Sequence, residues 1–249
     1  MGIRTRVATC ALALTVPVGA AAQQPAAPEP PPKTWEGTAG AGLSFTQGNS
    51  DTATYNVAFD VAHTPKARNV IKTTGLYMRG EQDDDLTVNR TAVVLRDEYS
   101  LTSRMLLFGQ AGYLHDTFKL IDYLIAPTAG LGFKIVNTDP TKFLVDAGAG
   151  GVWEKNPDTD VHASGAITSS ERLAHDLTPT ASIKHALAGL WRTDDFGDAL
   201  FTVSAGLATK ISEKVQLSID VLETYKTKPP TAATKKSDIA FVTAIAAKF

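Results

Sequence analysis

The sequence predicts an all-β chain: a transmembrane, antiparallel, up-and-down β-barrel of about twelve strands, set after a cleaved signal peptide and a proline-rich tether. Three observations predict it. The last stretch alternates, with Ile239, Phe241, Ile245 and Phe249 on one face and Asp238, Ala240, Ala244 and Lys248 on the other. The same period of two recurs along most of the chain. No stretch beyond the amino terminus is long and apolar enough for a membrane helix, whereas a barrel crosses a bilayer with an average composition because its two faces alternate.

The amino terminus reads as an export signal. Arg4 and Arg6 form a positive start, Val7 to Val18 an apolar middle, and Ala20-Ala21-Ala22 a small-residue cleavage site, giving a signal peptide over 1–22. Residues 23–33 (QQPAAPEPPPK) form a periplasmic tether with nothing to bury, and 34–249 form the barrel. Cys10, the only cysteine, leaves with the signal, so the mature chain has no disulfide and no thiol chemistry. Without Arg4 and Arg6 the basic residues number 22 against 26 acidic, a net charge of −4 that gives nucleic-acid binding no support.

Taken in order, the strands begin at Trp35, whose run to Phe45 places Trp35, Leu43 and Phe45 on one face and Glu36 and Ser44 on the other. Gln47-Gly48-Asn49-Ser50-Asp51 supplies the turn residues of a tight hairpin. Tyr55, Val57, Phe59 and Val61 then oppose Asn56 and Asp60. The next two strands, near Val70 to Glu81 and Leu86 to Tyr99, carry charge or weak alternation on each face, and their orientation stays open. Arg104 to His115 and Ile121 to Ile135 alternate clearly, although Pro127 predicts a break or bulge. Phe143 to Trp153 follows a turn at Val136 to Lys142. Lys155 to about Ser170 reads as the longest loop. Strands near 167–177, 181–191, 199–211 and 215–221 lead through a basic loop, Lys226 to Lys236, to the final strand.

An even strand number puts both chain ends on the periplasmic rim, and the short joins then sort to that rim while the longer charged ones fall outside, apart from the tight first hairpin. Closure is obligatory, since an open sheet in hydrocarbon leaves edge groups unpaired at several kcal/mol each. A charge on the lipid face near midplane costs about 2–4 kcal/mol. Asp60, Lys134, Asp146, Lys210 and Asp220, each opposite an apolar face, are therefore the candidate lumen-facing charges. Gly130, Gly132, Gly148 and Gly150 join them, either as room for bulky side chains opposite or as an open patch of lumen. These glycines lack the following helix of a phosphate cradle.

No catalytic, cofactor-binding or metal site is expected. The five histidines are scattered without metal spacing. His115-Asp116 near a loop could, with a serine, imitate a hydrolase site, and this is the reading from another class. A soluble periplasmic ligand-binding barrel is the third. Asp83-Asp84-Asp85 reads as a solvated acidic loop with some capacity to share a divalent cation with lipopolysaccharide.

The runs Tyr113-Leu114-His115-Asp116-Thr117-Phe118, Ala129-Gly130-Leu131-Gly132-Phe133 and Val136-Asn137-Thr138-Asp139 resemble the YdiY-like "salt-induced outer membrane protein" family. Gly48-Asn49-Ser50 and Tyr225-Lys226-Thr227-Lys228-Pro229-Pro230 fit as well, and the likeness spans most of Trp35 to Phe249. Many relatives carry an aromatic where Ala246-Ala247 stand here. The resemblance implies a Gram-negative outer-membrane barrel, non-enzymatic, with a role in small-solute passage or in salt or envelope stress. The terminal strand, ending at Phe249, is similar to the signature that the barrel-assembly machinery recognises. Outer-membrane lipid and lipopolysaccharide are the expected surroundings, and small solutes the possible cargo.

Overall fold

The computed structural model describes residues 34–48, 52–82 and 85–249. The expected signal peptide (1–22) and tether (23–33) lie outside the described residues, as do Asn49 to Asp51 of the first hairpin and Asp83-Asp84. Twelve strands form: β1 (Trp35–Gln47), β2 (Thr52–Lys66), β3 (Asn69–Gln82), β4 (Asp85–Ser100), β5 (Met105–Asp116), β6 (Ile121–Asn137), β7 (Thr141–Lys155), β8 (His162–Asp176), β9 (Ala181–Arg192), β10 (Ala199–Lys210), β11 (Val215–Lys226) and β12 (Ser237–Lys248). One turn of 3-10 helix, Thr117–Lys119, joins β5 to β6. Each strand pairs antiparallel with its chain neighbours and β12 pairs with β1, so the sheet is a closed barrel.

Residues directly opposite in an antiparallel ladder share a face. The pairs here join even to even: Thr38 with Asp60, Lys72 with Arg96, Asp146 with Ser170, Gly206 with Asp220, Ser44 with Val242. One parity therefore governs the whole cylinder. Even-numbered strand residues such as Asn56, Met78, Phe108, Asp146 and Val242 are buried inside, and odd-numbered Leu43, Phe59, Leu107, Leu131, Ile219 and Phe241 are exposed outside. Leu86 and Ile121 break the rule because each follows a register shift at a strand end.

The two rims differ. On one, the joins are short, and four use the same device. The hydroxyls of Thr102, Thr138, Thr178 and Ser212 accept backbone N–H groups two or three residues onward, closing the turn locally. This turn rim also holds the start of β1 and the end of β12, where Gly37 and Phe249 exchange backbone bonds of 3.2 and 3.1 Å. The opposite loop rim carries the joins at 117–120, 156–161, 193–198 and 227–236.

Three expectations need correction, one of them in part. The stretch Lys155 to Ser170 is not one long loop: β8 starts at His162 and pairs from Glu154 onward, because its small residues fit beside the glycines of β7. The longest join is 227–236. Pro127 makes no bulge but does mark a local break. The ladder to β7 passes from Ile125–Trp153 to Thr128–Gly150 with no pair at Ala126 or Pro127, in unchanged register, and the shift in β6 falls at Lys134/Val136. Loop-rim joins are not uniformly longer, since β3 and β4 run on to Gln82 and from Asp85.

The seam between β1 and β12 is tight. A side chain at Gly42 would run into the Thr243 carbonyl. We expect Gly42→Val to destabilise the folded barrel by about 1–3 kcal/mol through overpacking, read as earlier loss of the fast-migrating unboiled band on a heated gel series. The outward Ala247→Val should leave that series unchanged.

Candidate functional site

The interior is crossed by charged side chains. Arg96 on β4 donates from Nε to Glu98 (2.8 Å), from Nη1 to Gln110 on β5 (2.8 Å) and from Nη2 to Asp146 on β7 (2.9 Å). Arg172 on β8 reaches the same Asp146 (2.8 Å) and Glu98 (3.2 Å), Lys72 on β3 binds Glu98 (2.7 Å), and Ser170 donates to Asp146 (2.8 Å). The Arg96 guanidinium also lies 3.8 Å over the Phe108 ring. Phe108 in turn sits where Gly148 leaves space: a Cβ there would stand 2.9 Å from the ring and 2.8 Å from the Ala129 carbonyl.

Nearer the loop rim the interior is packed shut. Leu114, Ile121, Leu124, Ala126, Val152 and Ala166 form one apolar cluster, against which Ala92 of β4 and Leu200 of β10 pack from opposite walls. Met78, Val88, Phe118, Ala240 and Val242 form another. Phe118 belongs to the one-turn helix, which Asp116 caps by accepting the N–H groups of Phe118 (2.9 Å) and Lys119 (3.4 Å). Leu120 ends the turn in the left-handed region (φ 52°). Lys119 is wholly buried; its ammonium binds the Lys236 carbonyl (2.7 Å), the Lys235 carbonyl (3.2 Å) and the Asp238 carboxylate (2.6 Å). Arg90 bridges Asp116 (2.8 Å) and Thr224 of β11 (2.7 Å). Beside it Glu154 takes both Lys226 (2.9 Å) and Arg192 (3.1 Å). The 117–120 join is thus latched inward to the 227–236 join.

The turn-side half keeps a cavity of about 150 Å³. Asp60, Lys184, Asp220, Gln216 and Ser218 line it together with small residues such as Gly40 and Ala244. Lys184 lies 3.8 Å from Asp60, both more than half exposed. The carboxylate of Asp220 occupies the space beside Gly206 that a Cβ would fill.

The structure places the sequence candidates as follows. Asp146 is the buried hub of the Arg96 cluster. Asp60 and Asp220 border the cavity. Lys134 is half-buried near the turn rim, and Lys210 is exposed at that rim, donating to the Pro179 carbonyl (2.7 Å). Gly130 pairs with Gly148 and Gly132 with Asp146. Gly150 lies close under the Pro127 carbonyl. The glycines do not leave an open patch at Gly148, because Phe108 fills it. Sequence reasoning missed Arg96, Glu98, Arg172, Arg90, Arg192 and Lys226. Their even numbers were the available signal.

Neither histidine arrangement makes a relay. His115 bonds through Nδ1 to the Asp122 carbonyl (2.8 Å) and through Nε2 to Asn89 (3.1 Å), with no serine in either contact. At the loop rim Ser164 (2.6 Å) and His162 (2.7 Å) both bind Asp194, so the hydroxyl meets the carboxylate instead of the imidazole. The Ser164 hydroxyl first, and His162 with it, hold the Asp194 carboxyl down at about 2. Among the described residues no grouping has the makings of a metal site.

A family model described as "Protein of unknown function, DUF481" matches residues 39–249. A search of curated proteins finds no match. Among solved structures, the chain is similar to the NanC porin, at 9% identity and a TM-score of 0.55, over 86% of this chain and 98% of that one. It is also similar to the translocator domain of autotransporter NalP from Neisseria meningitidis, at 7% identity and a TM-score of 0.51, over 87% and 89%. At such identities the likeness concerns the fold: that of an outer-membrane barrel.

Arg96→Met should cost about 1–3 kcal/mol through lost charge-assisted hydrogen bonds, since Glu98 keeps Lys72 and Arg172 and Asp146 keeps Arg172 and Ser170, measured by unfolding in detergent. The depressed Asp194 carboxyl contributes stability that is complete above the ordinary carboxylate range, about pH 4, and lost as pH falls through about 2. Carbon-13 titration should place its midpoint near 2, and Ser164→Ala should move it upward.

Proposed function

The chain belongs to the DUF481 family, a family of unknown function, and from that premise we propose that it is a non-enzymatic outer-membrane barrel acting as a narrow, latched passage for small solutes. The observation that carries this reading is an apolar outer wall around an interior of bridged charges. A wall of that kind belongs in lipid, since interior charge on the outside would cost about 2–4 kcal/mol per residue near midplane. Its likeness in fold to a porin supports the same reading.

Within the proposal the turn rim faces the periplasm and the loop rim the exterior, as both ends of the barrel sheet and the short turns meet on the turn rim. Lys119 and Asp238 are then the latch that keeps the 117–120 join folded inward. The closing strand β12, ending near Phe249, is the element offered to the barrel-assembly machinery. Phospholipid and lipopolysaccharide surround the outer wall. The packed loop-side half also favours a second reading, a sealed barrel that serves envelope integrity during salt or other stress.

Single-channel recording separates the two. The passage reading expects small, discrete conductance steps that grow, or open more often, in Lys119→Met. Silence in both proteins, with the barrel shown folded by its gel mobility, would leave the sealed barrel.

A further inference from the structure

The turn rim carries a ring of cations that the rest of the molecule does not neutralise. Lys66, Arg104, Lys134, Lys142, Lys210 and Lys248 come from β2, the β4–β5 turn, β6, β7, β10 and β12, so they are spaced around the circumference. Lys134, Lys142, Lys210 and Lys248 are even-numbered strand residues, the parity of the interior, whereas Lys66 follows the register shift of β2 and Arg104 lies in a turn, so parity orients neither. None has a carboxylate within ion-pair distance among the described residues, and Lys210 meets only a carbonyl. Rim carboxylates exist, at Glu36, Asp97, Asp139, Asp176 and Glu213, but none pairs with these cations. At the loop rim most cations are matched: Arg90, Lys119, Arg192, Lys226 and Lys228 each meet a carboxylate, while Lys155 meets only the Thr159 carbonyl.

Like charges around a low-dielectric mouth focus their field into it and raise the local concentration of counter-ions. Just inside, Arg172 of β8 and Lys72 of β3, on facing walls, remain 34% and 38% exposed despite their pairing, while Asp60 and Asp220 border the neighbouring cavity. The loop-side half is packed, which leaves the turn rim as the approach. We propose that this mouth is a binding site for a small multivalent oxyanion of the phosphate class, taken from the turn side. The site holds it by several point charges without a fixed fork, which favours charge over shape.

The proposal deepens the passage reading by naming a solute class, and it is tested by binding, so that a silent bilayer does not decide it. Calorimetric titration of inorganic pyrophosphate into the full chain in non-ionic detergent should give saturable binding that weakens as salt rises. Combined Lys134→Gln, Lys142→Gln, Lys210→Gln and Lys248→Gln should weaken it at least tenfold, while the loop-rim Lys155→Gln leaves it unchanged. Gel mobility of the unboiled protein certifies that the variant is folded. If the combined variant fails to fold, the single variants replace it, each expected to weaken binding two- to threefold. Absence of saturable binding, or equal affinity in the folded variants, overturns the proposal. So does binding seen only with nanodiscs containing phosphatidylglycerol, which would assign the ring to lipid headgroups.

Discussion

The hydrogen-bond ladder has to come back to its own first strand. In hydrocarbon no water can satisfy an edge, and each unpaired N–H or C=O costs several kcal/mol. The pairing of β1 with β12, from Thr38 with Lys248 to Gln47 with Ile239, removes both edges at once. An antiparallel sheet can do this only with an even number of strands, which returns the final strand to the rim where the first began. Outside, the wall must then be apolar over most of its height, and the outward pair of Glu171 on β8 and His185 on β9, 3.6 Å apart toward the turn rim, is an exception. Most other ionisable groups in the strands go inward or to a rim.

That inward sorting creates an electrostatic problem, which the Arg96 cluster solves. Stripping ions of water is expensive, so a buried pair is weak evidence of net stability by itself. What the cluster supplies is connection between distant strands. Arg96 and Arg172, from β4 and β8, share the carboxylates of Glu98 and Asp146, and Gln110 takes one further N–H of Arg96. The Phe108 ring gives the guanidinium an apolar floor, and the β7 backbone admits that ring only where Gly148 stands. Walls joined in this way have a defined spacing, which a passage for small solutes requires and an empty cylinder lacks.

Much of this was legible before any coordinates. Strands with large apolar residues on one side and small or charged ones on the other, such as β1, β2, β6 and β12, announce their faces, because the lipid side tolerates no compromise. β3 and β4 did not. Their interior residues Lys72, Arg90, Arg96 and Glu98 are as charged as anything at the rims, and Asp97 at a strand end adds charge to the other face. Carrying the parity of β2 forward through its paired register would have resolved them. The stretch from His162 to Ser170 looked like a loop since it holds few large side chains; in the barrel it lies beside the glycines of β7, where small residues suffice. No sequence pattern reveals that Arg90 meets Thr224, since such partners are set by the curvature of the closed sheet.

The four register shifts, at His63/Lys66, Gly80/Glu81, Leu114/Asp116 and Lys134/Val136, all lie within a few residues of a strand end. A single residue gained or lost midway along a strand would turn everything beyond it inside out, oil facing charge and charge facing oil. Length can therefore drift freely only at the margins. Descendants of this chain are bound to lengthen or shorten its staves in steps of two, and to keep odd changes for the ends.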